Sequence, residues 1–169
     1  MHRIYIGIDN GHTGTVAWVG ENVHSTIIET PVRKEQSYTK KAQKMTRIDH
    51  ERLTAQLKEL IEAAGDASNV MVVMERPFTG TYASANVSAA RAYEVTLVLV
   101  EQLKLPHIIV DSRQWQKVML PVGIKGSDKL KEASATIALR LFPDQEKVIK
   151  KHKDADALLI AEWARREKL

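Results

Sequence analysis

Acidic residues stand at the ends of three apolar segments, where a carboxylate is hard to place without a partner. Asp9 follows Ile4-Tyr5-Ile6-Gly7-Ile8, Glu75 follows Val70-Met71-Val72-Val73-Met74, and Asp154 and Asp156 precede Ala157-Leu158-Leu159-Ile160-Ala161. An apolar run of five reads as a buried strand, and a carboxylate in such surroundings is unfavourable unless paired or bound to a metal. If the segments meet, the acids form an oxygen-rich cage suited to magnesium, which takes hard oxygen ligands in octahedral geometry. Four carboxylates suffice for two such ions, and a pair about 4 Å apart can activate water and neutralise the leaving 3′ oxygen of a phosphodiester. A lysine near that phosphate would add charge stabilisation in the transition state. The pattern points to a metal-dependent phosphodiester nuclease.

The acids differ in weight. Asp9 alone reads more readily as a turn-capping aspartate than as a catalyst. Glu75 ends a strand whose five preceding residues are all apolar, with Arg76 as a possible ion-pair partner. In the third cluster a regular helix puts His152 and Asp156, four apart, on one face, and turns Asp154 roughly away from Asp156. An acid in the first turn also simply complements the helix dipole, which is the plainer reading of Asp154. Asp156, next to the apolar stripe, is the better candidate to face the sheet.

The elements that must position these acids follow from periodicity and punctuation. Residues 3–9 and 14–19 are apolar runs around Asn10-Gly11, a strong hairpin signal. Val23 to Thr30 gives a third antiparallel strand, and the polar, basic stretch 32–47 reads as a loop. Leu53, Leu57, Leu60, Ile61 and Ala64 follow helical spacing up to Gly65. Residues 70–75 form a strand, Tyr82 to Leu103 a helix rich in Ala and Val, and 107–110 a short strand. Asp111-Ser112 caps the segment Arg113-Gln114-Trp115. Leu130, Ala133, Ile137 and Leu141 mark a helix closed by Pro143, and a last helix carries Ala157, Ile160, Ala161 and Ala164. A meander followed by alternating helices and strands implies a mixed sheet with helices on both faces.

At 169 residues the chain fits one domain, 1–169, with no linker, repeat or low-complexity tract. No apolar stretch reaches the roughly 20 residues that span a bilayer, and no signal-peptide core is visible, so no membrane partner is expected and the setting is cytoplasmic or nucleoid-associated. The absence of cysteine excludes disulfides and thiolate metal sites. A net charge of +4 implies little by itself, but its distribution is uneven. Arg33, Lys34, Lys40, Lys41, Lys44 and Arg47 share one segment with a single acid, Glu35. Lys125, Lys129, Lys131, Lys147, Lys150, Lys151 and Lys153 precede the last helix. Two basic groups around an acidic site suit a phosphate backbone, although solvated lysines account for them equally well.

On these residues the chain resembles the RuvC-type Holliday junction resolvases of the ribonuclease H-like nuclease superfamily, with motifs running from Ile6 to Ala161. Ile6-Gly7-Ile8-Asp9-Asn10-Gly11 resembles the family's Gly-Ile-Asp-Pro-Gly opening, with Asn10 in place of proline. Glu75-Arg76-Pro77-Phe78 resembles its strand-ending glutamate with phenylalanine three residues on. Gly123-Ile124 through Lys129 resembles the segment bearing a catalytic lysine, and Ala155-Asp156-Ala157-Leu158-Leu159-Ile160-Ala161 the final motif. One departure stands out: Lys153 occupies the place of an acid or histidine, so Asp154 or His152 must supply the fourth ligand. The pairing of His152 with Asp156 resembles phage and chloroplast relatives, and the short, lysine-rich chain suggests a phage-type or divergent member.

The resemblance implies a ribonuclease H-like fold with a five-stranded sheet, a three-strand antiparallel meander plus parallel strands. It implies Asp9, Glu75, Asp154 and Asp156 as ligands of two Mg²⁺ ions, with Mn²⁺ able to substitute. Lys129 becomes a phosphate-facing lysine, and Phe78 an aromatic stacked on an unpaired base, a contact worth about 1–3 kcal/mol. Arg76, Lys125, Lys131, Lys40, Lys41 and Lys44 are further candidates for DNA contact. The activity implied is that of a homodimer nicking four-way junctions symmetrically, since two identical cuts need a two-fold axis. The helix from Tyr82 to Leu103 is the candidate interface, with core packing an equal alternative. Competing readings are a related nuclease acting on RNA–DNA hybrid or structured RNA, a non-catalytic junction binder, and an actin-like or sugar-kinase-type ATP-binding lobe, whose phosphate hairpin Gly7 to Gly14 also resembles.

Overall fold

The computed structural model describes residues 3–21, 23–37, 41–77, 79–152 and 155–169. Strands β1 (Ile4–Asp9), β2 (Thr15–Gly20) and β3 (Thr26–Glu29) form the meander, and β4 (Val32–Gln36) with β5 (Lys44–Ile48) a separate hairpin. Then follow α1 (His50–Ala64), β6 (Val70–Glu75), α2 (Ala83–Gln102), β7 (His107–Val110), α3 (Ser112–Met119), α4 (Ser127–Leu141), α5 (Glu146–His152) and α6 (Asp156–Glu167). The main sheet has the order β3-β2-β1-β6-β7. β1 pairs antiparallel with β2 and parallel with β6, and β6 pairs parallel with β7. This is the mixed five-stranded sheet expected from the sequence.

β1 and β6 are apolar almost throughout because helices cover both faces of the sheet. Ile4, Ile6 and Ile8 pack with Val70, Val72 and Met74 against Leu53, Leu57 and Leu60 of α1 and Leu99 and Val100 of α2. Tyr5, Met71 and Val73 face the other way, toward Trp115, Ala138, Ile149 and the buried stretch of α6 from Ala157 to Ala164. Ala157 through Ala164 are buried without a break, so α6 is a core helix rather than an amphipathic one. It lies directly on β1 because residue 7 is glycine. A Cβ there would stand 2.0 Å from the Ala157 carbonyl oxygen and 2.6 Å from the Ala161 nitrogen. The guanidinium of Arg3, just before β1, donates to the carbonyl of Leu169. α6 therefore runs antiparallel to β1, and its N-terminus sits at the end of the sheet where β1 and β6 finish.

Two expectations fail. The stretch 32–47 is not a loop: β4 and β5 pair in register, Arg33 with Arg47 and Glu35 with Met45. Charged residues predict strands poorly, and like charges opposite one another are unfavourable. Here Glu35 accepts from both Arg33 and Arg47 at 2.8 Å, and β5 packs on α2, which supplies the support a lone hairpin lacks. Nor do His152 and Asp156 share a helix, because α5 ends at His152 and α6 begins at Asp156. No helix among the described residues is long and apolar enough to cross a membrane.

Candidate active site

Register brings the first two acids together. Ile8 pairs with Met74, so Asp9 and Glu75, one residue on, end adjacent parallel strands at the same level. Ile8 and Met74 face α1 and α2, and side chains alternate along a strand, so both acids face α6. The chain leaves Asp9 through a tight turn in which the Gly14 N–H donates to the Gly11 carbonyl at 3.1 Å. A Cβ on Gly14 would stand 2.1 Å from the Asp9 carbonyl oxygen, so only glycine lets β2 return this closely.

Asp156 opens α6 at this same end of the sheet. The buried N–H of Ala155 donates to Ser134 Oγ on α4 at 3.3 Å, which fixes the helix entry. The dipole of α6 favours negative charge at its N-terminus. The charge of Asp156 is felt at Glu75, so these two carboxylates belong to one electrostatic site.

Glu75 is the most perturbed of them. Burial pushes its carboxyl up to about 7; the charges of Asp156 and Asp111 add to the effect, and a hydrogen bond from Trp115 restrains it. The donor is the indole N–H of Trp115, fully buried on α3, at 2.7 Å from Oε2. Glu162 provides the contrast. Burial opposes its ionisation too, yet Arg165 and Arg166 donate to it at 2.7 and 2.8 Å and hold it below the usual range. Glu75 has no cationic partner among the described residues. Arg76, the partner suggested by adjacency, turns instead to Asp111 at 2.6 Å.

The remaining sequence candidates are placed as follows. Asp154, Phe78 and Lys40 lie outside the described residues. His152 points toward β3, its Nε2 3.1 Å from Glu29 Oε1, beside Lys151, whose Nζ is 2.5 Å from the same oxygen. Lys151, and then His152, hold the Glu29 carboxyl below its usual range. Lys129 and Lys125 are exposed and border a cleft of about 620 Å³ with Arg140. Lys131, two residues along α4, lies on a different side and lines another surface with Asp128. Lys41 and Lys44 are exposed on the hairpin. Among the described residues no three His, Asp or Glu side chains are grouped closely enough to hold a metal ion.

Trp115 is the site residue that sequence reasoning missed. The cap at Asp111, whose backbone N–H donates to Gln114 Oε1 at 2.7 Å, starts α3, and Trp115 and Met119 then lie four apart on its buried face. That spacing reveals a core tryptophan but not the carboxylate forty residues upstream.

No protein-family model matches the sequence, and no curated protein matches it. Solved structures do. The chain is similar to RuvC of Thermus thermophilus in complex with a Holliday junction substrate, with a TM-score of 0.60, 18% identity, and coverage of 98% of this chain and 96% of that one. It is also similar to a second Thermus thermophilus RuvC structure, with a TM-score of 0.56, 16% identity and the same coverage. The chain therefore has the fold of these RuvC structures, a mixed five-stranded sheet flanked by helices.

Proposed function

We propose that residues 1–169 form a single nuclease domain that cuts four-way DNA junctions by phosphodiester hydrolysis. One observation carries the reading: Glu75 is withdrawn from water beside Asp156, without a protein cation among the described residues to neutralise it. Such a carboxylate ionises unfavourably until a cation arrives, and its hard oxygens suit magnesium. Asp9, Glu75 and Asp156 end at one edge of the sheet without yet being grouped closely enough to hold an ion, and would close around the metal on binding, with Asp154 or His152 as the fourth ligand; the contact of His152 with Glu29 favours Asp154. When bound, Mg²⁺ or Mn²⁺ supplies charge stabilisation for the attacking and leaving oxygens.

The chain's own residues orient and charge the site. Trp115 fixes Oε2 of Glu75 through its indole N–H. Lys125 and Lys129 offer positive charge to a phosphate backbone, joined by Arg76, Lys40 and the hairpin lysines Lys41 and Lys44, with Lys131 adding charge on another side of α4. Phe78, three residues after Glu75, stacks on a base opened at the branch point. A homodimer places two such sites about a two-fold axis, as a symmetric double nick requires. The similar RuvC structure is in complex with a Holliday junction substrate, which supports branched DNA as the substrate.

The test is magnesium-dependent cleavage of a four-way junction beside duplex, flap and RNA–DNA hybrid. Paired nicks in junction strands of like polarity are expected. Cleavage of the hybrid alone would move the assignment to another ribonuclease H-like nuclease, and ATP hydrolysis without any nicking would move it to an ATP-binding lobe.

A further inference from the structure

The β4–β5 hairpin and the first half of α2 enclose a cleft of about 580 Å³ that the proposed metal site does not use. Its walls are apolar, with Met45 and Ile48 on β5 facing Val87, Ala92 and Val95 on α2. Val87 is half exposed, at 50%. Leaving such surface wet is unfavourable by about 25 cal/mol per Å², so the gap favours an occupant.

The rim is cationic. Arg33 and Arg47 border it and share Glu35, so that trio retains one positive charge. Lys44 and Arg91 also border it and have no ion-pair partner among the described residues. Among the described residues Glu94 is the single carboxylate of the lining. Hydrogen-bonding groups close one end, where His12 Nδ1 lies 3.1 Å from Ser88 Oγ.

Position adds the decisive constraint. His12 follows Asp9 by three residues, and three residues reach at most about 10 Å. A nucleic-acid strand rises about 3.4 Å per nucleotide, so this end of the cleft is within about three nucleotides of the acids. The volume is that of a small-molecule site, roughly 300–1,000 Å³, which suits one nucleotide and not a base pair with two backbones.

We propose that this cleft receives one unpaired nucleotide of the cut strand, its base between the apolar walls and its phosphates on the cationic rim. Resting on the nuclease reading above, this makes the cleft a determinant of where the strand is cut. A base extruded from its stack is read by just this combination of apolar faces and a few polar groups.

The test uses the full chain carrying Asp156→Asn, bound to junctions with 2-aminopurine placed at successive positions around the cut. A severalfold rise in fluorescence is expected at one position within about three nucleotides of the cut, and its loss when Val87→Trp fills the cleft. Arg91→Ala is expected to weaken junction binding about tenfold and to lower the salt dependence by about one phosphate contact. In nicking-competent protein, Val87→Trp is expected to flatten cutting among junctions of different sequence to within about twofold. No rise at any position, or an unchanged cut distribution in Val87→Trp, overturns the proposal. So does a change of oligomeric state in Val87→Trp by sedimentation, which would give the cleft to a second copy. These outcomes in protein that nicks leave the nuclease reading standing; absence of nicking by the unaltered protein overturns that reading itself.

Discussion

Glu75→Gln replaces a charged acceptor by a neutral one of the same shape, and the amide oxygen can still accept from Trp115. In the folded protein without metal the Glu75 carboxyl titrates at about 7, against 4.5 for an unperturbed glutamate. Below pH 4.5 it is protonated in folded and unfolded chain alike, and the fold keeps its full stability. Between 4.5 and 7 the unfolded chain gives up the proton first, so stability falls as the pH rises. Above 7 the loss is complete. A gap of about 2.5 pH units corresponds to about 3 kcal/mol at 1.36 kcal/mol per unit. At about 2–4 °C per kcal/mol for a chain of this size, the shift in melting temperature is on the order of 10 °C. Thermal unfolding followed by circular dichroism, in chelator at pH 5 and pH 8, measures it. The wild-type protein should lose about that much more between the two pH values than Glu75→Gln. Added magnesium should restore the wild-type protein at pH 8 and leave the variant nearly unmoved, since only a ligand bound to the folded state stabilises it. Equal pH profiles for the two proteins would refute the claim that Glu75 is a buried carboxylate awaiting a cation.

Asp9→Asn and Asp156→Asn should each reduce magnesium-dependent junction nicking at least a hundredfold while gel-shift affinity for the junction stays within a few-fold; wild-type cutting by either would remove it from the metal cage. Trp115→Phe keeps most of the buried ring and removes only the donor to Glu75 Oε2. Outer hydrogen bonds of this kind are worth 10- to 100-fold in metal affinity, so the magnesium concentration for half-maximal thermal stabilisation should rise by about that factor; an unchanged value would reduce Trp115 to packing. Gly7→Ala must force α6 off β1, because its Cβ would meet the Ala157 carbonyl at 2.0 Å. A loss of about 3 kcal/mol or more in urea unfolding is expected, and a near-neutral result would mean α6 is not seated there. Breaking the Glu35 bridge with Glu35→Gln leaves Arg33 opposite Arg47 and should loosen the β4–β5 hairpin, read as faster amide exchange in β4 and β5 with α6 unaffected.

Much of this architecture was legible from local pattern. Five apolar residues in a row at 4–8 and 70–74 announce strands buried on both faces, Asn10-Gly11 announces the turn between β1 and β2, and Gly65, at φ +79°, stops α1. Those signals depend on neighbours a few positions apart, as does the placement of Asp9 and Glu75 at strand ends. What they cannot contain is distance across the fold. Trp115 reaches Glu75 over forty residues, and Gly7 yields to a helix one hundred and fifty residues later. Arg76 leaves the acid beside it for Asp111. The hairpin at 32–48 was invisible because Arg33, Glu35 and Arg47 oppose strand formation one at a time and favour it only as a bridged set on α2. The pairing of His152 with Asp156 shows the same division: spacing alone joined them, whereas the fold puts them in separate helices with the imidazole 3.1 Å from Glu29. Sequence thus determined which carboxylates stand at the ends of buried segments, because burial is written in runs of apolar residues. Only tertiary structure decided which of them share a site and which are neutralised, because charge is settled by whatever side chain the fold brings within about 3 Å.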